Sequence, residues 1–95
     1  MKDIGLETVV VRGAEHVEAP LGGQTVMMSI ARGKYFALDG TGQRIWELIS
    51  EPMRVGEIVD RLTEEYDVDR EQCTAEVKSF VAELAENGLV EEQRS

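Results

Sequence analysis

The sequence is poor in reactive and cross-linking side chains. Its one cysteine, Cys73, cannot close an internal disulfide, so packing alone must hold the fold. Its one histidine, His16, stands more than fifty residues away, and neither has the clustered partners from which metal sites are built. No metal or cofactor is therefore expected. One Trp, two Tyr and two Phe are too few for a nucleobase-stacking surface, which leaves a mainly aliphatic core. Apolar runs are only a few residues long, against roughly 20 for a bilayer span, and Met1-Lys2-Asp3-Ile4-Gly5 lacks the charged-then-apolar pattern of a secretory leader. These absences point to a cytoplasmic protein with no membrane partner.

What is present fits one small domain. The chain has 95 residues, 42% apolar and 31% charged, a globular balance with no room for a separate catalytic domain. Ten basic residues oppose nineteen acidic ones, and the net charge of −9 disfavours DNA, RNA and anionic lipid. The charge is uneven. Residues 1–40 carry four basic and five acidic side chains (−1), and residues 41–95 carry six and fourteen (−8). A neutral or basic partner is expected.

The apolar pattern changes character near Asp39. Before it, Thr8 to Arg12, His16 to Ala19, Gln24 to Ile30 and Lys34 to Leu38 are strand candidates separated by turn signals: Pro20-Leu21-Gly22-Gly23 and Ala31-Arg32-Gly33. They predict a small antiparallel meander. After it, Ile45, Trp46, Leu48 and Ile49 fit a helix from about Thr41 to Ser50, capped by Asp39 or Thr41. Val55, Ile58, Val59, Leu62 and Tyr66 follow the spacing of a second amphipathic helix, whose solvated face includes a Glu57–Arg61 pair. Asp69 caps a third, with Cys73, Val77, Phe80, Val81 and Leu84 as its stripe. Asn87-Gly88 ends it with a left-handed cap, Leu89 folds back, and Val90 leads into a polar tail. The expected fold class is α+β, a three-stranded antiparallel sheet followed by three helices in one domain with its core at about residues 9–90.

No pattern for chemistry emerges. Cys73 sits in an apolar stripe, where a small buried hydrophobe is the ordinary role, and Gly40-Thr41-Gly42 lacks the lysine of a phosphate loop. Trp46 reads as a core anchor and His16 as a solvated or hydrogen-bonded side chain beside Glu15 and Glu18. The notable feature is an edge. The strand Lys34 to Leu38 is followed by a helix, which leaves one side of its backbone open to an incoming extended peptide.

The run Gly33-Lys34-Tyr35-Phe36-Ala37-Leu38-Asp39, then Gly42, Ile45-Trp46-Glu47-Leu48-Ile49, Val55, Glu57-Ile58-Val59, Leu62 and Glu65-Tyr66-Asp67-Val68 resembles the PqqD-like family. Val77, Phe80, Leu84 and Gly88-Leu89-Val90 extend the similarity, which covers about Val17 to Val90 and looks most like the small proteins of lasso-peptide biosynthesis. The resemblance implies a winged-helix-like domain and a non-catalytic role, recognition of the leader region of a ribosomally made precursor peptide. It places the leader as an added strand on Lys34, Tyr35, Phe36, Ala37 and Leu38, against Cys73, Glu76, Val77, Phe80 and Val81 of the third helix. It implies as partners that leader, a separate leader peptidase of the transglutaminase-like cysteine protease type, and a separate lasso cyclase.

Strand alternation qualifies that set. With Leu38 inward, Phe36 shares its face while Tyr35 and Ala37 take the other, so some of these residues support the core instead of lining a groove. The alternative function is a winged-helix DNA-binding regulator, opposed by the acidic third helix. A small enzyme using Cys73 has less to recommend it.

Overall fold

The computed structural model describes residues 4–14, 16–30, 32–38 and 40–93. Six strands and three helices follow in order: β1 (Val9–Arg12), β2 (His16–Leu21), β3 (Gln24–Ser29), β4 (Lys34–Leu38), α1 (Gly40–Leu48), β5 (Met53–Arg54), α2 (Val55–Glu65), α3 (Arg70–Glu86) and β6 (Val90–Glu92). The class is α+β, with the expected meander β2-β3-β4 ahead of three helices.

The first strand candidate leaves that meander. β1 is the centre of a second antiparallel sheet, β5-β1-β6, in which Val10 faces Met53 on one side and Glu92 on the other. Residues 90–92, expected as tail, therefore form a strand, and Met53–Arg54 form another. Both are too short to carry a periodic signal of their own. A close approach fixes the exit from β1: a side-chain carbon at Gly13 would stand 2.6 Å from the Gly88 carbonyl oxygen, so only glycine fits.

The first turn of the meander is tighter than its sequence cluster. Pro20 and Leu21 remain in β2, and the chain reverses on Gly22 and Gly23 alone, with φ of 58° and 86°, the positive pair of a two-residue type I′ hairpin. Gly33, φ 65°, serves the second turn; Ala31 lies outside the described residues.

The helices follow the apolar spacing. α1 starts at Gly40, with Thr41 inside the helix, and the proposed Asp39 cap lies outside the described residues. Glu57 on α2 pairs with Arg54 at 3.3 Å, toward the preceding turn and not toward Arg61. The Asp69 carboxylate accepts from the Gln72 N–H at 3.0 Å as the N-cap of α3. Beyond its other end, Gly88 (φ 75°) lets the Leu89 N–H reach the Leu84 carbonyl at 2.9 Å and the Gly88 N–H reach Ala85 at 3.1 Å, a Schellman closure that buries Leu89.

One core joins these parts. Ile45, Trp46 and Ile49 of the α1 region meet Val55, Ile58, Val59 and Leu62 of α2 and Cys73, Val77, Val81 and Leu84 of α3, with Val10, Met27, Leu38, Leu89 and Val90 closing the cluster. Polar ties fasten β1 and the meander to this body. The Arg12 guanidinium lies 4.5 Å from the Trp46 ring centroid and donates to the Trp46 carbonyl at 2.9 Å. Glu18 accepts from His16 Nε2 at 2.8 Å and from the Trp46 indole at 3.3 Å, while the other His16 nitrogen contacts the Gly13 carbonyl at 3.0 Å. At the far end, the buried Ser29 hydroxyl donates to the Asn87 carbonyl. His16 is thus hydrogen-bonded and half-buried; Glu15 lies outside the described residues.

Candidate functional site

Two features come together at the junction of the meander with α1 and α3: a strand edge and an apolar pocket. β4 is the last strand of its sheet, and among the described residues no strand pairs with its outer side. Which of its main-chain groups face outward follows from the first hairpin. A two-residue turn makes Leu21 and Gln24 a hydrogen-bonded pair, so Pro20, which has no N–H, falls where that group would point away from β3. Alternation then directs Thr25, Met27 and Ser29 toward Leu38, Phe36 and Lys34 of β4. The N–H and C=O groups of Tyr35 and Ala37 are the ones left facing outward.

The side chains of β4 divide as alternation requires. Leu38 is buried and Phe36 packs against the core, while Tyr35 is 73% exposed and Ala37 is exposed. Lys34 begins the strand in an exposed position, near Arg32, Glu86 and Asn87.

The pocket, about 150 Å³, lies among the three helices. Thr41, Gly42 and Ile45 of α1, Leu62 of α2, Val68 of the following loop, and Cys73, Glu76, Val77 and Phe80 of α3 line it. Four of the five α3 residues named from the sequence are therefore in the lining. The fifth, Val81, is fully buried in the core and does not reach it. Gly42 connects pocket and strand: a side-chain carbon there would lie 3.3 Å from Phe80 Cε1 and 4.0 Å from Leu38 Cδ2. The bare glycine backbone lets the Phe80 ring settle beside the C-terminal end of β4.

Sequence reasoning missed the share of this pocket contributed by α1, α2 and the loop after α2. Val68 gave the clearest available signal, an apolar residue between two aspartates that stays 42% exposed in the fold. Thr41 and Gly42 read only as a turn into a helix.

The electrostatics leave the pocket apolar with one acidic wall. Burial pushes the Cys73 thiol up from its ordinary value, and the Glu76 carboxylate adds to that, outweighing Arg70, so the sulfur is held as a neutral thiol. Arg44 braces the frame from outside, with Nε and Nη2 each 2.8 Å from a carboxylate oxygen of Glu65, so α1 is clamped to the last turn of α2. That hydrogen bonding holds the Glu65 carboxyl below its ordinary range. Among the described residues no group of three or more His, Cys, Asp or Glu is placed to hold a metal ion, and no helix is long and apolar enough to cross a membrane.

A small α+β domain is defined by these features, with a strand edge that no described strand covers and an apolar socket close to its end. Residues 24–90 match the family model described as coenzyme PQQ synthesis protein D, PqqD, and the chain belongs to that family. Among solved structures it is similar to TbiB1 in complex with the TbiA(beta) leader peptide, at 34% identity and a TM-score of 0.76, covering 90% of this chain and 99% of that one. It also shares its fold with a lasso peptide synthetase B1 complexed with the leader peptide (23% identity, TM-score 0.74, 86% and 96% covered). A third likeness is to the PqqD truncation of Methylobacterium extorquens PqqCD, solved by NMR and described as a functional, stand-alone RiPP recognition element (19%, 0.75, 94% and 95%). No curated protein matches the chain.

Proposed function

We propose that this protein is a recognition element for the leader region of a ribosomally made lasso-peptide precursor, without catalysis of its own. One observation carries the reading: the outer edge of β4, where among the described residues no strand pairs with the main-chain groups of Tyr35 and Ala37, ends at Leu38 beside Gly42 and Phe80 of an apolar pocket. An extended peptide gains main-chain hydrogen bonds from the edge and an anchor from the pocket, the two parts of strand-addition recognition. The 34% identity to a protein solved with a leader peptide, over nearly the whole of both chains, supports the same reading.

In this scheme Lys34 to Leu38 supply the edge, Cys73, Glu76, Val77 and Phe80 supply one wall of the socket, and Val81 with Leu38 holds the walls in place. The bound leader is then delivered to a separate leader peptidase and cyclase in the cytoplasm. The contact is smaller than a standard protein interface, so affinity rests on a few anchoring side chains.

Titration of isotope-labelled protein with the leader segment of the precursor encoded beside it tests the reading directly. Saturable amide shifts concentrated on Lys34–Leu38 and the pocket face of α3 are expected. Absence of any saturable shift sinks the proposal. Delivery is tested separately, by whether the protein accelerates leader cleavage by the purified peptidase.

A further inference from the structure

The pocket accounts for only one side of an added strand. β4 turns Phe36 and Leu38 inward and Tyr35 and Ala37 to the opposite face. The sheet register continues that outward face without interruption. Tyr35 stands opposite Met28, itself opposite Val17, and Ala37 stands opposite Val26, itself opposite Ala19. With Leu21 these make seven apolar side chains, and no charged residue shares their face among the described residues, in a chain of net charge −9. Tyr35, Leu21 and Val17 are 73%, 67% and 53% exposed.

We infer that this face is a second specificity surface for the docked peptide, on which Tyr35 and Ala37 read the side chains that point away from the pocket. The inference rests on the peptide-recognition reading and deepens it. An added strand alternates as β4 does, so residues opposite Tyr35 and Ala37 come within about 5 Å, Cβ to Cβ, of them. The first joins the row Val17–Met28–Tyr35 as its fourth member, where a β-branched or aromatic side chain gains contact and a charged one finds no counter-charge. The second meets the single methyl of Ala37, which leaves room for a long side chain to lie across the row toward Val26. The ligand class is therefore an extended segment apolar on both of its faces. One face supplies the pocket anchor, and the other supplies two apolar residues spaced two apart. A strand alternating apolar and charged residues does not satisfy both.

The test is a lysine scan of the same leader segment, each peptide measured by fluorescence anisotropy against the wild-type protein, Tyr35→Glu and Ala37→Glu, with melting curves confirming that both variants fold. Lysine at either outward position is expected to weaken wild-type binding about two- to fivefold. Tyr35→Glu should selectively restore one lysine peptide and Ala37→Glu another, two residues away, and the order of the two reports the strand direction. If each glutamate variant changes the affinity of every peptide alike, or the restored positions are not two apart, the second surface is overturned while leader recognition stands. If wild-type protein fails to bind the unmodified leader, both the recognition reading and this inference fall, and that result is read before any variant is used.

Discussion

The meander has two edges, and they are built differently. β2 closes one side with Pro20 at a position where an outward N–H would otherwise invite pairing, and with Glu18 drawn into hydrogen bonds with His16 and Trp46. β4 closes the other with no proline and with outward main-chain groups at Tyr35 and Ala37. A short exposed sheet must protect its edges against unwanted pairing. Here a proline interrupts one edge while the other runs without one near an apolar pocket, and strand addition at β4 is the use proposed for that difference.

The largest expected effect comes from making the open edge resemble the interrupted one. Tyr35→Pro removes an outward donor while sparing the bonds to β3, and leader affinity measured by calorimetry should fall by about tenfold or more with little change in melting temperature. Phe36→Pro is the control with the opposite signature, because its N–H faces β3; it should lower the melting temperature first. Loss of leader affinity in neither proline variant would remove strand addition as the mode of binding. The reverse exchange, Pro20→Val, restores a donor to the β2 edge. Concentration-dependent self-association in sedimentation is expected, with stability unchanged within about 0.5 kcal/mol.

A smaller effect is expected at the hinge between edge and pocket. Gly42→Ala gains helix propensity of about 0.8–1.0 kcal/mol but sets a methyl 3.3 Å from Phe80 Cε1. Stability should therefore change little, while displacement of the ring should weaken leader binding about two- to fivefold, roughly 0.4–1 kcal/mol. The smallest effect concerns pH. Burial alone would raise the Glu18 carboxyl, but the His16 hydrogen bond, the Arg12 charge and the Trp46 N–H together hold it below its ordinary value of 4.5. Its stabilisation is thus fully present above the unfolded-state value and is lost as pH falls through the lower folded one. With the side chain 38% exposed, the contribution should be less than about 1 kcal/mol. Amide protection factors in β2, corrected for the intrinsic pH dependence of exchange, should fall below about pH 4.5 more than those in α3, and Glu18→Gln should flatten that difference.

The contrast between the edges was half legible in the sequence. The strand Lys34 to Leu38, its inward and outward residues, the three helices and the Asn87-Gly88-Leu89 closure follow from local patterns: alternation, the 3.6-residue period and a glycine after a helix. Pro20 was visible too, but it read as part of a turn, because only the register of a two-residue hairpin shows that β2 runs through it. The companions of β1 were not legible, since Met53–Arg54 and Val90–Glu92 are short and their pairing is nonlocal. The pocket was legible on α3 alone; Thr41, Gly42 and Val68 acquire their role only when three helices converge. Trp46 reads as an anchor, and it is 1% exposed, yet the Arg12 and Glu18 groups around it depend on contacts 34 and 28 residues apart.

The pairing of β1 with β6 also bears on how the molecule is made. Val10 lies opposite Glu92, so the second sheet joins positions 82 residues apart and cannot be completed until residue 92 has left the ribosome. The meander and its first hairpin, by contrast, need only residues 16–38. During synthesis the open edge of β4 is therefore expected to exist before the sheet that closes the body behind it. At ordinary elongation rates of about 5–20 residues per second, the segment of β4 leaves the ribosome a few seconds before that of β6.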